Sequence, residues 1–204
     1  MAANNKLAHL ETFFWELLNS LKKVKRWGCY SVNTPESVDQ HTFKMGVLTL
    51  IVILWEKRYG CKDFDAFKVL ALALIHDWAE GRTGDVLWQV KKDPRLAPIF
   101  KVVEKELLDK FLDEYWPEEI RTEISSLYEN LDNLTTVEGR LFRAIEELGY
   151  VSYAIYEVEQ GRQDFVDVFP KHFESLEKAA QEFVSVAQIW NEMKKVISLY
   201  YSPE

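Results

Sequence analysis

The sequence predicts an all-α protein, and three observations lead to this prediction. Only 8 Gly and 6 Pro occur in 204 residues, so most segments between them are long enough to be helices. Apolar residues recur at spacings of three and four along these segments, which is the pattern of a helix with one buried face. No stretch keeps the strict alternation of apolar and polar residues that is typical of a half-buried strand.

The predicted helices can be placed in order from their start and stop signals. We expect them over about residues 7–24, 37–59, 63–80, 94–116, 117–131, 135–161 and 174–200, with a connecting region at 165–173. Capping or proline start signals lie at Ser37 or Asp39, Asp63, Pro94 and Pro98, Pro117, and Thr135 or Thr136. Glycines follow the predicted helix ends at Gly28, Gly60 and Gly161.

Composition and charge indicate a globular domain and argue against a nucleic-acid-binding protein. Hydrophobic residues make up 48% and charged residues 28% of the chain, as in ordinary globular domains. No linker-like segment divides the sequence, so a single domain is expected. The net charge of −8 argues against a nucleic-acid partner, and an anionic substrate would need a local basic pocket.

The sequence also indicates the compartment. The longest apolar run, Met45–Trp55, is shorter than the ~20 residues that span a bilayer. Cys29 and Cys61 lie outside any metal-type pair, and the first residues lack the pattern of a secretory signal. We therefore expect a soluble, cytoplasmic protein with reduced thiols and no membrane partner.

The stretch Val69–Asp85 carries the clearest chemical signal. An apolar run leads into the adjacent pair His76-Asp77 and then to Glu80. Helical spacing would place Glu80 one turn beyond His76 on the same face. At the end of a buried helix these side chains lose hydration and the two carboxylates repel each other, and a divalent cation resolves both problems. The alternative is a neutral core histidine that is hydrogen-bonded to Asp77.

Three further sites, with five residues between them, each have both a chemical and a structural interpretation. Arg26 and Trp27 lie at the end of a basic stretch that closes the first predicted helix. In the structural interpretation the basic residues complement the dipole of that helix. In the chemical interpretation Arg26 and Trp27 turn inward, where the guanidinium binds phosphate and the indole stacks on a sugar or base. His41, near the start of the second helix, is more often a solvated or capping residue unless other ligands join it. Glu146 and Glu147, considered alone, favour a solvated acidic face.

Taken together, five segments resemble the HD-domain phosphohydrolases, and within them the 5′-deoxynucleotidase branch. Thr34–Thr42 (TPESVDQHT) is similar to the Pro-Glu-Ser-Val-x-x-His-[Ser/Thr] run of that branch, and His76–Asp85 (HDWAEGRTGD) is similar to its His-Asp-x-x-Glu-x-x-x-Gly-Asp. Arg26-Trp27 stands where the branch carries an Arg-Trp pair, and Val90-Lys91 resembles its Val-Lys. Glu138–Glu146 (EGRLFRAIE) resembles a segment of the form Glu-x-[Lys/Arg]-x-x-[Lys/Arg]-x-x-Asp.

The resemblance covers about residues 15–160 and implies an HD-domain helical bundle of about six to eight helices. The whole chain, 1–204, would be one HD domain, with a C-terminal helical extension over about residues 161–204. The implied activity is metal-dependent removal of the 5′-phosphate from (deoxy)nucleoside monophosphates. The implied cofactor is one divalent metal ion (Mn, Co, Mg, Zn or Fe), and the implied partners are the nucleotide and a second copy in a homodimer.

The resemblance also implies roles for individual residues. The metal ligands would be His41, His76, Asp77 and Glu146. The catalytic residues would be Glu80, acting on the attacking water, and Asp85, assisting at the leaving oxygen or the sugar hydroxyl. The substrate-binding residues would be Arg26 and Lys91 for the phosphate and Trp27 for the sugar or base.

One position departs from the family pattern. Where the family has Asp as its last ligand, this chain has Glu146, which keeps the oxygen donor and adds a methylene group. Two alternatives stay open. The same metal site could serve a deoxynucleoside triphosphate triphosphohydrolase, or the chain could bind nucleotides without hydrolysing them.

Overall fold

The computed structural model describes residues 10–201, with all side chains in that range except those of Leu10, Trp88 and Gln89. The described residues are all-α, as predicted, and form ten α-helices and one 3-10 helix. These are α1 (Leu10–Lys23), α2 (Val38–Tyr59), α3 (Ala66–Ile75), α4 (Glu80–Thr83), α5 (Trp88–Lys92), α6 (Ala97–Tyr115), α7 (Glu118–Glu129), α8 (Val137–Glu159), the 3-10 helix (Gln163–Lys171), α9 (Phe173–Glu182) and α10 (Val184–Ile197). The number of helices slightly exceeds the prediction, because two predicted helices are divided and α5 lies where none was expected.

The central predicted helix ends earlier than expected. α3 stops at Ile75, and the next residues form turns whose N–H groups bond to carbonyls three residues back, as from Trp78 to Ile75 and from Glu80 to Asp77, both at 3.0 Å. These tighter turns interrupt α-helical bonding before α4 begins. The expectation that Glu80 lies one turn beyond His76 on one continuous helix is therefore wrong.

The closing predicted helix is divided at Phe183. This residue has an extended backbone (φ −121°, ψ 120°) and separates α9 from α10. The Glu56 carboxylate accepts hydrogen bonds from the backbone N–H and the Oγ of Ser185, at 2.6 and 2.7 Å. Glu56 thus satisfies an N–H group in the first turn of α10 that has no partner inside the helix.

The other boundaries agree with the sequence signals in part. Thr136 caps α8 by accepting the Gly139 N–H at 3.1 Å, as predicted. At α3 it is Asp65, and not Asp63, that accepts the N–H of a first-turn residue, Lys68, at 3.0 Å. The predicted connecting region at 165–173 forms most of the 3-10 helix. The predicted start of the first helix at Leu7 lies outside the described residues.

The chain divides into two compact units. The first contains the chain up to Cys29, Pro35–Thr42 and Ile75–Glu129, and the second contains Tyr30–Thr34, Phe43–Leu74 and the chain from Asn130 onward. The single domain expected over residues 1–204 stays a prediction. None of the helices described in residues 10–201 has the length and apolarity needed to cross a membrane.

The core of the first unit is built around Phe13 on α1. Its ring stacks on Phe111 at 5.0 Å between centroids and meets Trp116 edge-on at 4.9 Å. Leu17 and Leu21, one and two turns later, are also buried. This apolar face holds α1 against α4 and α6, and it fixes where the chain leaves α1 toward Arg26.

The core of the second unit is built around α8. This helix packs against the 3-10 helix, α9 and α10. Its buried apolar face includes Phe142, Ile145 and Leu148. Trp190 of α10 is fully buried and meets Phe173 of α9 edge-on at 4.9 Å. These contacts confirm that the apolar periodicity predicted along α8 marks a core face.

Candidate active site

Three predicted metal ligands come together in the first unit. His41 lies in the first turn of α2, and His76 and Asp77 lie in the turns that follow α3. One ligand atom from each residue lies within 4.8 Å of the other two. His76 Nε2 is 3.1 Å from Asp77 Oδ2, and His41 Nε2 is 3.7 Å from the same oxygen. The three side chains can therefore point at one ion.

The chemistry of this cluster fits a metal ion. His41 Nε2 and Asp77 Oδ2 are both buried, and neither makes a hydrogen bond of normal geometry within residues 10–201. A buried polar atom without a partner costs about 1–3 kcal/mol. A bound divalent cation would satisfy both atoms, and two imidazole nitrogens with a carboxylate oxygen are ordinary ligands for one.

The environment of His41 favours the form that binds metals. Burial, and after it the nearby Arg26 guanidinium, lower the pKa of His41 to about 4, so the imidazole is neutral at pH 7. Its Nδ1 faces Glu36 Oε2 at 3.5 Å. A proton on Nδ1 shared with this carboxylate leaves the Nε2 lone pair for a metal.

Asp77 is ionised in this environment. Burial alone would raise the pKa of Asp77, but the adjacent His76 outweighs burial and holds the pKa well below its usual range. The Arg26 guanidinium acts in the same direction. The cluster thus presents one negative carboxylate beside the neutral imidazole of His41.

Glu36 was not among the predicted site residues, and it links two that were. Backbone pairing of residues 24–26 with 36–38 brings it into place, since Arg26 N–H donates to the Glu36 carbonyl at 2.9 Å and Lys25 forms an antiparallel bridge with Ser37. The Arg26 Nη1 donates to Glu36 Oε2 at 3.5 Å, and the same oxygen faces His41. Its place in the Pro-Glu-Ser-Val run was the available sequence signal.

Arg26 turns inward. α1 ends at Lys23, so Arg26 lies beyond the helix end, and it is only 8% exposed. The structural alternative, in which the basic residues complement a helix dipole, applies to Lys22 and Lys23 in the last turn. Arg26 instead places a positive charge close to the predicted metal ligands.

Trp27 has a left-handed backbone conformation, with φ of 65°. Its N–H donates to Asp85 Oδ2 at 3.1 Å. Left-handed φ values disfavour residues other than Gly by about 1–2 kcal/mol, so this hydrogen bond helps to hold an unfavourable turn. Burial raises the pKa of Asp85 above its usual value. Asp85 is thus placed beside the Arg26-Trp27 pair.

Glu80 and Lys91 form a close pair next to the ligand cluster. Lys91 Nζ donates to Glu80 Oε1 at 2.6 Å, and the Glu80 side chain is almost fully buried. Burial and the nearby Asp77 raise the pKa of Glu80 to about 7, although Lys91 opposes this. Burial disfavours the charged ammonium, but the Glu80 carboxylate outweighs it and raises the pKa of Lys91.

Glu146 lies in the second unit on α8. Arg143 Nη1 donates to Glu146 Oε2 at 2.5 Å, and the Tyr150 hydroxyl donates to Oε1 at 2.9 Å. The Glu146 and Glu147 side chains are 14% and 7% exposed, and Arg143 pairs with both, so the solvated acidic face expected for them alone is wrong. The assignment of Glu146 as the last metal ligand stays a prediction.

The comparison with known protein families decides the identity of the fold and of the reaction class. A family model described as 5′-deoxynucleotidase YfbR-like matches residues 13–193. The chain belongs to this family. As a member of the YfbR-like family it is a hydrolase of the HD-domain type that acts on the 5′-phosphate of nucleotides.

Individual relatives agree with the family assignment. The chain is 29% identical over 165 residues to the 5′-deoxynucleotidase HDDC2 of Xenopus laevis, which is 74% of either chain. It resembles an HD-domain phosphohydrolase of Listeria innocua with a TM-score of 0.78 and 19% identity, over 94% of this chain and 93% of that one. It also resembles the HD phosphohydrolase DatZ of cyanophage S-2L, bound to dA and one catalytic Zn²⁺ ion, with a TM-score of 0.56 and 17% identity, over 90% and 95% of the two chains. The solved structures confirm the predicted HD-domain fold.

Proposed function

We propose that this member of the YfbR-like family removes the 5′-phosphate from (deoxy)nucleoside monophosphates at a divalent metal ion held by His41, His76 and Asp77. One observation carries the proposal. Three ligand atoms lie within 4.8 Å of one another, and two of them are buried and make no hydrogen bond of normal geometry within the described part of the chain. The deoxynucleotidase description of the family supports the substrate class. The dA and Zn²⁺ bound to the DatZ relative support the kind of ligand.

The metal is proposed to be Mn, Co, Mg, Zn or Fe. When bound, such an ion polarises the phosphoryl oxygen and lowers the pKa of its coordinated water. Glu146 is proposed as the fourth ligand, because it ends the segment that resembles the family's last ligand motif. The bonds from Arg143 and Tyr150 support a fixed orientation of its carboxylate.

Binding of the phosphate is assigned to Arg26 and Lys91. In a chain with a net charge of −8, an anionic substrate needs a local group of cations, and both of these interact electrostatically with Asp77 of the ligand cluster. Arg26 can form paired hydrogen bonds with phosphate oxygens, whereas Lys91 contributes a point charge. Trp27, next to Arg26, is proposed to stack on the sugar or base.

Hydrolysis joins a water oxygen to phosphorus, breaks the bond from phosphorus to O5′, and moves a proton from the water to O5′. Glu80 is proposed to accept the proton from the water. Its Oε1 is held by Lys91, while its buried Oε2 makes no hydrogen bond within residues 10–201 and is available for this transfer. Asp85 is proposed to assist at the leaving O5′ or at the sugar hydroxyl.

The first test measures products from deoxy- and ribonucleoside mono- and triphosphates in the presence of Mn²⁺, Co²⁺ or Mg²⁺. Inorganic phosphate from the monophosphates alone supports the proposal. Triphosphate released from the triphosphates would move the assignment to the triphosphohydrolase. No product with any metal, but activity in a Glu146→Asp variant, would show a nucleotide-binding protein that has lost hydrolysis.

A second test separates the roles of the residues. Glu80→Ala is expected to abolish phosphate release while the metal content, measured by mass spectrometry, is unchanged. His76→Ala is expected to lose the metal as well as the activity. Glu119→Ala, at an exposed position on α7, is the matched control and should keep both. Loss of metal in Glu80→Ala would show that its role is wrongly assigned.

Three further expectations accompany the proposed activity. We propose that the protein works as a homodimer in the cytoplasm and that it has no nucleic-acid partner. The net charge of −8 supports the last of these, because nucleic acid would be repelled. The exposed, unpaired Cys29 and Cys61 fit a reducing compartment.

A further inference from the structure

We propose that the exposed apolar face of α2 is the surface through which a second copy of this chain binds. This face is formed by Phe43, Val47, Leu50 and Leu54, with Ile51, Trp55 and Tyr59 beside them, and we call it the α2 stripe. All seven residues are between 41% and 73% exposed. They lie in the second unit, whereas His41, His76 and Asp77 lie in the first.

The α2 stripe is exceptional because the same helix already has a complete buried face. Met45, Val52 and Ile53 are at most 5% exposed and pack inward. A helix that is apolar all round is normally buried on all sides. The apolar composition of the exposed half of α2 therefore indicates that another surface covers it.

The spacing of the stripe indicates what kind of surface it fits. Its main row, Phe43, Val47, Leu50 and Leu54, advances by four, three and four residues. This is the spacing of residues that pack into the grooves of another helix. A helix is therefore the expected occupant, rather than a flat lipid surface or an extended peptide.

The size of the stripe matches a protein interface. At roughly 200 Å² per large apolar residue, the exposed fractions of the seven residues leave on the order of 750 Å² open to solvent. A stable interface buries about 800 Å² on each partner, whereas the largest apolar patch on a typical monomer is about 300–600 Å². The α2 stripe is thus nearly a whole interface.

The nearly uncharged stripe suits a second copy better than an anionic lipid surface. With a net charge of −8, two copies repel each other unless they meet at an uncharged surface. Between Gln40 and Trp55 the chain has one charged residue, Lys44, whose Nζ lies 5.7 Å from the Tyr153 ring centroid. An anionic bilayer would repel the chain as a whole. A two-fold contact pairs the stripe with itself and brings no like charges together.

This inference names a surface, which the proposed homodimer does not, and it does not depend on the proposed hydrolysis. It predicts where α2 meets its symmetry mate: near Leu50, at the middle of the row. Substitutions at exposed positions on other helices should have no effect on association.

The test is the mass of the full chain in solution over a range of concentrations. The wild-type protein is expected at twice its 24.0 kDa chain mass. A Leu50→Glu/Leu54→Glu variant is expected at the monomer mass, with a dimer dissociation constant raised on the order of 100-fold or more, because like charges would face each other across the interface. Ile99→Glu, at another exposed apolar position, is the control and should remain dimeric.

A cross-linking experiment covers the case in which the double variant fails to fold. Leu50→Cys, in a chain whose Cys29 and Cys61 are replaced by Ser, should form a disulfide-linked dimer on oxidation, while Ile99→Cys in the same background should not. A wild-type chain that stays monomeric overturns both the surface and the homodimer. A folded double variant that dimerises as tightly as the wild type overturns the surface alone, and a monomer that binds anionic lipid vesicles would assign the stripe to a membrane instead.

Discussion

Replacing Glu36 by Gln should weaken metal binding even though Glu36 is not a proposed ligand. The carboxylate lies 3.5 Å from His41 Nδ1 and 3.5 Å from Arg26 Nη1, and its side chain is 3% exposed. The substitution keeps the size of the side chain but removes the charge that orients the imidazole. Loss of such a partner typically lowers metal affinity 10- to 100-fold, or about 1.4–2.7 kcal/mol.

The same substitution should also lower stability. Two unit charges 3.5 Å apart attract by roughly 5 kcal/mol at an effective dielectric constant of 20, which is an upper bound before dehydration is counted. Breaking a buried pair costs about 3–5 kcal/mol, because Arg26 is left as an uncompensated charge. For a chain of this size the melting temperature should fall by roughly 6–20 °C.

Calorimetric titration with Mn²⁺ and thermal unfolding of the metal-free protein measure the two effects separately. Glu157→Gln is the matched control, since Glu157 is also fully buried and accepts the Asn33 N–H in the second unit. It should lose stability without a change in metal affinity. If Glu36→Gln unfolds earlier but binds Mn²⁺ as tightly as the wild type, the orienting role given to Glu36 is wrong.

Three other predictions concern the reaction and the fold. Lys91→Met should lower kcat/KM roughly 10- to 150-fold, because it removes a charge-assisted contact of about 1.5–3 kcal/mol, and steady-state kinetics with a monophosphate will show whether it does. Hydrogen bonding from Arg140 lowers the pKa of Glu182 in the folded protein. The pair therefore stabilises the fold at pH values above the pKa of about 4.3 that Glu has in the unfolded chain. This stabilisation is lost as the pH falls through the lower pKa of the folded protein. Glu182→Gln should thus melt about 2–4 °C below the wild type at pH 7 and at nearly the same temperature at pH 3; an equal gap at both pH values would contradict the assignment. Thr136→Ala should cost about 1 kcal/mol through loss of the α8 cap, seen as a lower denaturant midpoint with an unchanged slope.

Features that depend on neighbours in the chain could be predicted from the sequence. The helical spacing along α1, α6 and α8 follows from the need to bury one face of each helix. The cap at Thr136 is also local, because the side chain bonds to a residue three positions later. The resemblance of the motifs around His41 and His76-Asp77 predicted a cluster of metal ligands, and the structure brings these residues together.

Features that depend on distant residues could not be predicted. The division of the closing helix at Phe183 is accompanied by a cap from Glu56, 129 residues before Ser185. The role of Glu36 depends on a backbone bridge too short to leave an alternating pattern. The burial of Glu147 depends on Ser175 and His172, which lie well beyond the helix that carries it.

The contact between Asp85 and Trp27 has a consequence for how this site can evolve. One carboxylate holds a strained backbone turn and is also proposed to act near the leaving oxygen. A substitution of Asp85 that is selected for a different leaving group would therefore also move the Trp27 ring. A substitution of Asp85 that is selected because it moves this ring, to fit a different base, would also change the chemistry at the leaving oxygen. Asp85→Asn keeps an acceptor for the Trp27 N–H but removes the charge. It is therefore the smallest substitution that separates support of the Trp27 turn from action at the leaving oxygen.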